Sequence, residues 1–185
     1  GEEGNAEAIA RTQFGVEDAD KVLTAAGKPA LEYFDAQAAQ KWQTDPEGAW
    51  SAKAAKDYMD TNLVTYNESN GNMIELVICN NDGMAEGAVA SLQQAGYNVE
   101  GAHVVPVFGV DATDAAKALI ADGAMVGTVK QDANGMAVAI SGTVKAIADG
   151  KTPVEALASL TDERLTVAGD CAGKLYVSYA PYTGE

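Results

Sequence analysis

Histidine is nearly absent from this chain: one, His103, in 185 residues. It opens an apolar run and reads as a surface residue, not as a ligand or a general base. No H-E-x-x-H, G-x-S-x-G, Walker A or G-x-G-x-x-G pattern occurs. Cysteine is scarce too. Cys79 and Cys171 are too far apart in sequence to read as a disulfide framework or a zinc site, and each reads as a small hydrophobe. Cys79 precedes a strand-to-helix turn, but with no histidine near it in the pattern it is a packing residue and not a nucleophile. The chain is therefore read as a non-enzyme. Cations are few: 12 Lys and Arg against 27 Asp and Glu, a net charge of -15. That excludes nucleic acid and disfavours anionic membrane surfaces, which both need clustered positive charge. No window reaches the roughly eighteen uncharged apolar residues of a membrane-spanning helix. Neither a signal peptide nor an initiating Met precedes Gly1, so the natural start is expected upstream.

What is abundant is apolar sequence, 47% of residues, and it recurs as short apolar runs alternating with Ala-rich stretches of helical period. "PALEYF" (29–34) reads as a strand. "WSAKAAKDYMDTNLVTY" (50–66) reads as an amphipathic helix with Ala54, Tyr58 and Leu63 near one face. "NESNGN" (67–72) is a turn, "MIELVICN" (73–80) a buried strand, and "GMAEGAVASLQQAG" (83–96) a helix stopped by Gly96. Then come a strand at 103–110, a helix at 113–123, a strand at 125–130 and a helix at 133–150. "PVEALASL" reads as a short helix and "KLYVSYAPY" (174–182) as a strand. The alternation implies an α/β fold with a doubly wound, mostly parallel sheet.

In such sheets ligands bind outside the carboxyl ends of the strands. Asn80, Asn81 and Asp82 follow one strand, Asp111 the next, and Lys130 with Gln131 the one after. Helix capping accounts for Asp82 and Thr113. It leaves Asn81 and Asp111 over, because each has a second polar neighbour free to cap. Amides, carboxylates, an arginine and an aromatic without a proton shuttle suit a neutral polar ligand. A sugar fits: its hydroxyls donate to Asp and Asn, and its C–H faces stack on an aromatic ring.

"GEEGNAEAIART" (1–12), "IELVICNNDGMAEGAV" (74–89) and "VPVFGVDATDAAKALIADGAMVGTVKQDA" (105–133) resemble the periplasmic galactose/glucose-binding proteins, sugar-capturing subunits of ABC importers. The group also includes ribose-binding proteins and the effector domains of LacI-type repressors. The resemblance covers residues 1 to about 150, with an insertion at about 36–49. It implies two α/β lobes joined by a three-stranded hinge, with sugar between them. The family's loop arginine matches Arg11, its stacking tryptophan Trp50 (with Trp42 the rival), its asparagine Asn81 and its hydroxyl-accepting aspartate Asp111. Asn5, Glu7 and Gln131 stand where the family has His, Asp and Asn. Glu75 reads as a strand-start carboxylate reaching solvent. By resemblance it is one ligand of a calcium site whose remaining ligands come from a D-x-[DN]-x-[DN]-G loop that these residues lack.

The resemblance further implies an incomplete lobe. Residues 1–132 form a C-terminal sugar-binding lobe without its first strand. Residues 133–185 comprise hinge crossings and a segment of the otherwise missing N-terminal lobe. In the order 2-1-3-4-5 the missing strand is interior, so strands 29–34 and 73–79 are expected to pair directly or to accept a strand from elsewhere. The helix at 133–150 is expected to pack abnormally, and the chain alone to capture sugar and calcium poorly. The function implied is monosaccharide capture for an ABC importer's membrane subunits, with a chemoreceptor as a further partner, by a periplasmic or extracellular lipoprotein. The alternative is the effector domain of a LacI-type repressor.

Overall fold

The computed structural model describes all 185 residues, Gly1–Glu185. The chain divides into two compact units, Gly1–Thr128 with Tyr182–Glu185, and Val129–Pro181. The elements of the first are α1 (Ala6–Ala25), α2 (Ala52–Thr65), β1 (Val77–Ile78), α3 (Asp82–Gln94), β2 (Val107–Val110) and α4 (Asp114–Ala121). β3 (Gly127–Gln131) leaves this unit. α5 (Ala133–Ala148), α6 (Pro153–Ala158), β4 (Leu165–Val167) and β5 (Leu175–Val177) follow, and β6 (Tyr179–Tyr182) returns. The main sheet runs β1-β2-β3-β6 and is mixed, mostly parallel; β4 and β5 make a separate antiparallel pair. This is the α/β architecture the alternation implied.

The first unit is held by one apolar cluster beneath the sheet. Leu92, Val89 and Ala85 of α3 meet Val105, Val107 and Met125, all 2% exposed or less. α2 closes the layer with Met59 and Leu63. Met59 and Asn62 take buried positions, whereas Tyr58, expected on the apolar face, is only half-buried. α2 and α3 cross closely: a β-carbon at Gly87 would collide with the Ala52 carbonyl, so glycine is required there. Asn98, left-handed at φ 49°, fastens the loop before β2. Its amide oxygen accepts from Val105 N at 2.8 Å, and its Nδ2 donates to the carbonyls of Val105 and Ala124 at 2.8 and 2.9 Å.

Several elements are shorter than the sequence pattern implied. Residues 29–34 form no strand. The Leu31 amide donates to the Asp20 carboxylate at 2.6 Å, and the Phe34 ring packs edge-on against Tyr66. β1 stands at the sheet edge, and parallel pairing with β2 (Val77↔Val107, Ile78↔Phe108) is its one ladder. The direct pairing of 29–34 with 73–79 is thus not formed, and Ile78 is 37% exposed where a buried strand was expected. β2 begins only at Val107, because Pro106 has no N–H to give a ladder; its carbonyl accepts from Val77 N at 2.9 Å. "KLYVSYAPY" breaks at Ser178, which donates to the Arg164 carbonyl, so that β5 and β6 enter different sheets.

In the second unit α6 is opened by a capping box between Thr152 and Glu155. The Arg164 guanidinium joins Asp162 at 2.6 Å, Asp132 at 3.3 Å and Asn134 at 3.1 Å. α5 buries only Gly135 and Ala139. Ile140, Val144 and Ile147, spaced as one helical stripe, are 66, 61 and 42% exposed.

Burial therefore predicts opposite outcomes on two helices. Leu92→Ala, at a site with no exposure, should cost about 2–5 kcal/mol through lost contacts and a cavity. Ile140→Gln should change stability by no more than about 0.5 kcal/mol. Urea unfolding of the two variants checks both values.

Candidate ligand-binding pocket

Asn5, Glu7, Arg11, Trp50, Asn81 and Asp111 line one pocket of about 320 Å³ in the first unit. They come from four separated stretches of chain, and the fold fixes each by a local device.

Asn5 is the N-cap of α1. Its Oδ1 accepts from Glu7 N at 2.9 Å and Ala8 N at 3.3 Å, and its Nδ2 donates to Glu2 at 3.2 Å. Glu7 and Arg11 then lie one turn apart on the same helix face, 3.4 Å between charged atoms. Arg11, expected in a loop, is thus a helical residue. It donates to the Asn80 carbonyl at 2.9 Å, and its guanidinium carbon stands 5.7 Å from the Trp50 ring centre. Asn80 donates in turn to Thr12 Oγ1 at 3.0 Å, so α1 flanks the end of β1. The Asn80 amide oxygen is buried without a hydrogen-bond partner.

Trp50 is left-handed, φ 54°, and precedes Ser51, the N-cap of α2. Its carbonyl accepts from Asn81 Nδ2 at 3.1 Å. Asp45, 4% exposed, accepts from Ser51 N at 2.9 Å, Ser51 Oγ at 2.8 Å and Glu47 N at 2.9 Å. These donors, the Ser51 amide foremost, hold the Asp45 carboxyl below the usual carboxylate range.

Asn81 is the N-cap of α3, its Oδ1 accepting from Met84 N at 2.9 Å. The sequence reading gave that role to Asp82. Asp82 is instead the first helical residue, fully buried, with its carboxylate turned towards neighbouring loops. Thr113 N donates to one oxygen at 2.8 Å and Thr128 Oγ1 to the other at 2.5 Å. A β-carbon at Gly109 would strike this carboxylate, so β2 must carry glycine where it passes. Asp111 and Ala112 are both left-handed, φ 124° and 54°, and lead into Thr113, the N-cap of α4.

The remaining sequence candidates lie elsewhere. Gln131 belongs to the second unit and accepts from the Tyr179 hydroxyl at 3.3 Å. Trp42 is half exposed and outside the lining. Glu75 is exposed on the stretch before β1, and no group of three His, Cys, Asp or Glu side chains is arranged to hold a metal. Burial pushes the Cys79 thiol up to about 12. His103 pairs with Glu68 on the surface, away from the pocket lining. Sequence reasoning missed Asp45 and Asp82 as the groups behind the pocket. The signals were present in "DPEG" and "NND", but which backbone amide each carboxylate would reach is a tertiary fact.

A folded-state carboxyl held below its unfolded value stabilises the fold above the unfolded value and loses that contribution as pH falls through the folded one. For Asp45 the loss begins below about pH 4. The melting temperature should therefore be higher for the unaltered chain than for Asp45→Asn at pH 7, and the gap should narrow on acidification towards pH 2. Thermal scans across that range measure it.

A periplasmic binding protein domain family matches residues 1–152. The D-galactose/methyl-galactoside binding periplasmic protein MglB of Haemophilus influenzae is 34% identical over 155 residues, 84% of this chain and 40% of its own length. Among solved structures, a β-D-glucose-bound ABC transporter solute-binding protein from Clostridium phytofermentans matches 92% of this chain and 48% of its own, with a TM-score of 0.57 and 19% identity. A periplasmic ribose ABC transporter protein from Conexibacter woesei matches 91% and 44%, with a TM-score of 0.54 and 16% identity. The chain spans less than half the length of each, and the two structures bear on the fold alone. The match over residues 1–152 and the 34% identity make this chain a member of the periplasmic binding protein domain family.

Proposed function

We propose that the pocket is one face of a monosaccharide site, of the galactose or glucose kind, in a solute-binding protein that serves an ABC importer. The observation that carries this reading is the convergence of six side chains, Asn5, Glu7, Arg11, Trp50, Asn81 and Asp111, from distant stretches on one pocket. Together they offer carboxylates that accept from sugar hydroxyls, a guanidinium and an amide that donate to sugar oxygens, and an indole face for the C–H side of the ring. Binding is reversible and non-covalent: the lining has no histidine and no cysteine. The galactoside-binding relative favours a binding protein over the effector domain of a repressor.

The same reading gives the protein a periplasmic or extracellular setting with a lipid anchor, the importer's membrane subunits as partners, and a chemoreceptor as a further one. Glu75 offers one carboxylate to a calcium ion. No group of three His, Cys, Asp or Glu side chains is gathered to hold a metal, so added calcium should leave the melting temperature unchanged. A clear rise would mean that ligands gather around Glu75 after all.

Sugar binding by this chain should be weak. A pocket open to solvent leaves the hydroxyls hydrated, and each hydrogen bond then nets only about 0.5–1.5 kcal/mol in competition with water. A dissociation constant above about 1 mM, or less than about 4 kcal/mol of binding, is expected. Titration with galactose and glucose, followed by amide and indole NMR shifts, should move Trp50, Asn81 and Asp111. Trp50→Ala and Asp111→Ala should each weaken or abolish the shifts, and Trp42→Ala should not. Shifts confined to the Trp42 side, or none for any monosaccharide tried, would refute the sugar reading.

A further inference from the structure

We infer that Asp45 and Asp82, neither of which lines the pocket, are its positioning residues: each buried carboxylate holds the amide of the helix-cap residue that ends a left-handed stretch, and each such stretch begins at a pocket residue. The two arrangements are parallel. Trp50 (φ 54°) is followed by Ser51, whose N–H reaches Asp45 at 2.9 Å. Asp111 (φ 124°) and Ala112 (φ 54°) are followed by Thr113, whose N–H reaches Asp82 at 2.8 Å. The aspartates are 4 and 0% exposed.

Non-glycine residues leave the left-handed region unless the surroundings over-determine them. Here the restraint falls on the next peptide group. Ser51 and Thr113 already cap their helices with their own side chains, accepting from Ala54 N at 3.2 Å and Ala116 N at 3.1 Å. Capping is therefore satisfied without the aspartates. What the carboxylates add is a fixed anchor on the cap residue's own amide, which stops the preceding peptide from rotating back. A buried carboxylate is costly unless fully bonded. Asp45 has Glu47 N and Ser51 Oγ as further donors, and Asp82 has Thr128 Oγ1. Thr128 also accepts from Ala112 N at 3.3 Å, so the second left-handed turn is gripped at successive amides. Asn81 secures the first turn from the other side through the Trp50 carbonyl. The indole face and the Asp111 carboxylate are thereby aimed by groups that never meet a ligand.

The inference takes its functional meaning from the sugar reading, but its test reads backbone geometry and needs no sugar. In a Trp42→Phe background Trp50 is the sole indole. Asp45→Asn keeps the volume of the side chain and turns one acceptor into a donor. It should shift the Trp50 indole NMR signal and emission while leaving Asp111 and Ala112 unchanged. Asp82→Asn should do the reverse: the HN–Hα couplings of Asp111 and Ala112 should lose their left-handed values, with Trp50 unmoved. Thr128→Val should resemble Asp82→Asn, and Thr128→Ser should be silent. Ala112→Gly, which removes the cost of positive φ, should recover more melting temperature in the Asp82→Asn chain than in the unaltered one. Variants that only melt earlier, with the Trp50 and Asp111–Ala112 signals in place, overturn the inference. If an Asp→Asn variant fails to fold, Thr128→Val decides for the second turn and Asp45→Glu, which displaces the carboxylate from Ser51 N, for the first, by the same signals. A sugar titration that fails on the unaltered chain counts against the sugar reading and leaves this geometry standing.

Discussion

The Asp82 carboxylate is where the first unit is tied together. It leaves the first turn of α3, passes over β2 at Gly109, and takes donors from the loop before α4 and from β3. The turn after β1 is thus joined through one carboxylate to the loop after β2 and to the first part of β3. Fully buried charge is tolerable only because both oxygens are occupied and the helix N-terminus places partial positive charge beside it. With that junction fixed, Asn81 and Asp111, the polar residues at the ends of β1 and β2, face one pocket. The polar strand ends are therefore two layers: an inner one that carries the fold, and an outer one left for a ligand.

The division between layers is not the one that the sequence pattern offered. In the sequence pattern Asp82 can cap and leaves Asn81 over; the structure uses Asn81 as the cap and buries Asp82. A helix-start aspartate and a capping asparagine are interchangeable in sequence, and only the cross-strand donors Thr113 and Thr128 distinguish them. The alternation of strands and helices was legible, because period and caps are local: Gly96, Gly123 and Gly150 each follow a helix with positive φ. The strand at 29–34 was not. A β-like run becomes a strand only where a neighbour offers a ladder, and the edge of β1 facing away from β2 carries none. Asn81 and Asp111 are marked by their places at strand ends, whereas Asn5, Glu7, Arg11 and Trp50 are marked only by the family resemblance. Trp50 and Asp111 bear the one local sign of strain, a left-handed backbone, which no sequence pattern reveals.

Arg11 shows how the pocket is prepared before any ligand arrives. A free arginine side chain has about 2 kcal/mol of rotamer entropy to lose when it is fixed. Here that loss has already occurred on folding: the guanidinium is bound to the Asn80 carbonyl, paired with Glu7 and set near the Trp50 ring. Trp50 is pinned through its carbonyl and through the amide that follows it. Asn5 is committed to its helix cap. A ligand would meet groups whose ordering cost belongs to folding and not to binding, which favours affinity per contact. The same commitments limit what each group can still give. Asn81 has spent its Oδ1 on Met84 N and one Nδ2 hydrogen on the Trp50 carbonyl, so a single Nδ2 hydrogen lies outside these two bonds. Arg11 keeps most of its five donors. On the proposed sugar reading, the Asp111 and Glu7 carboxylates would be the hydroxyl acceptors of this face, and its selectivity would follow their reach more closely than that of the amides.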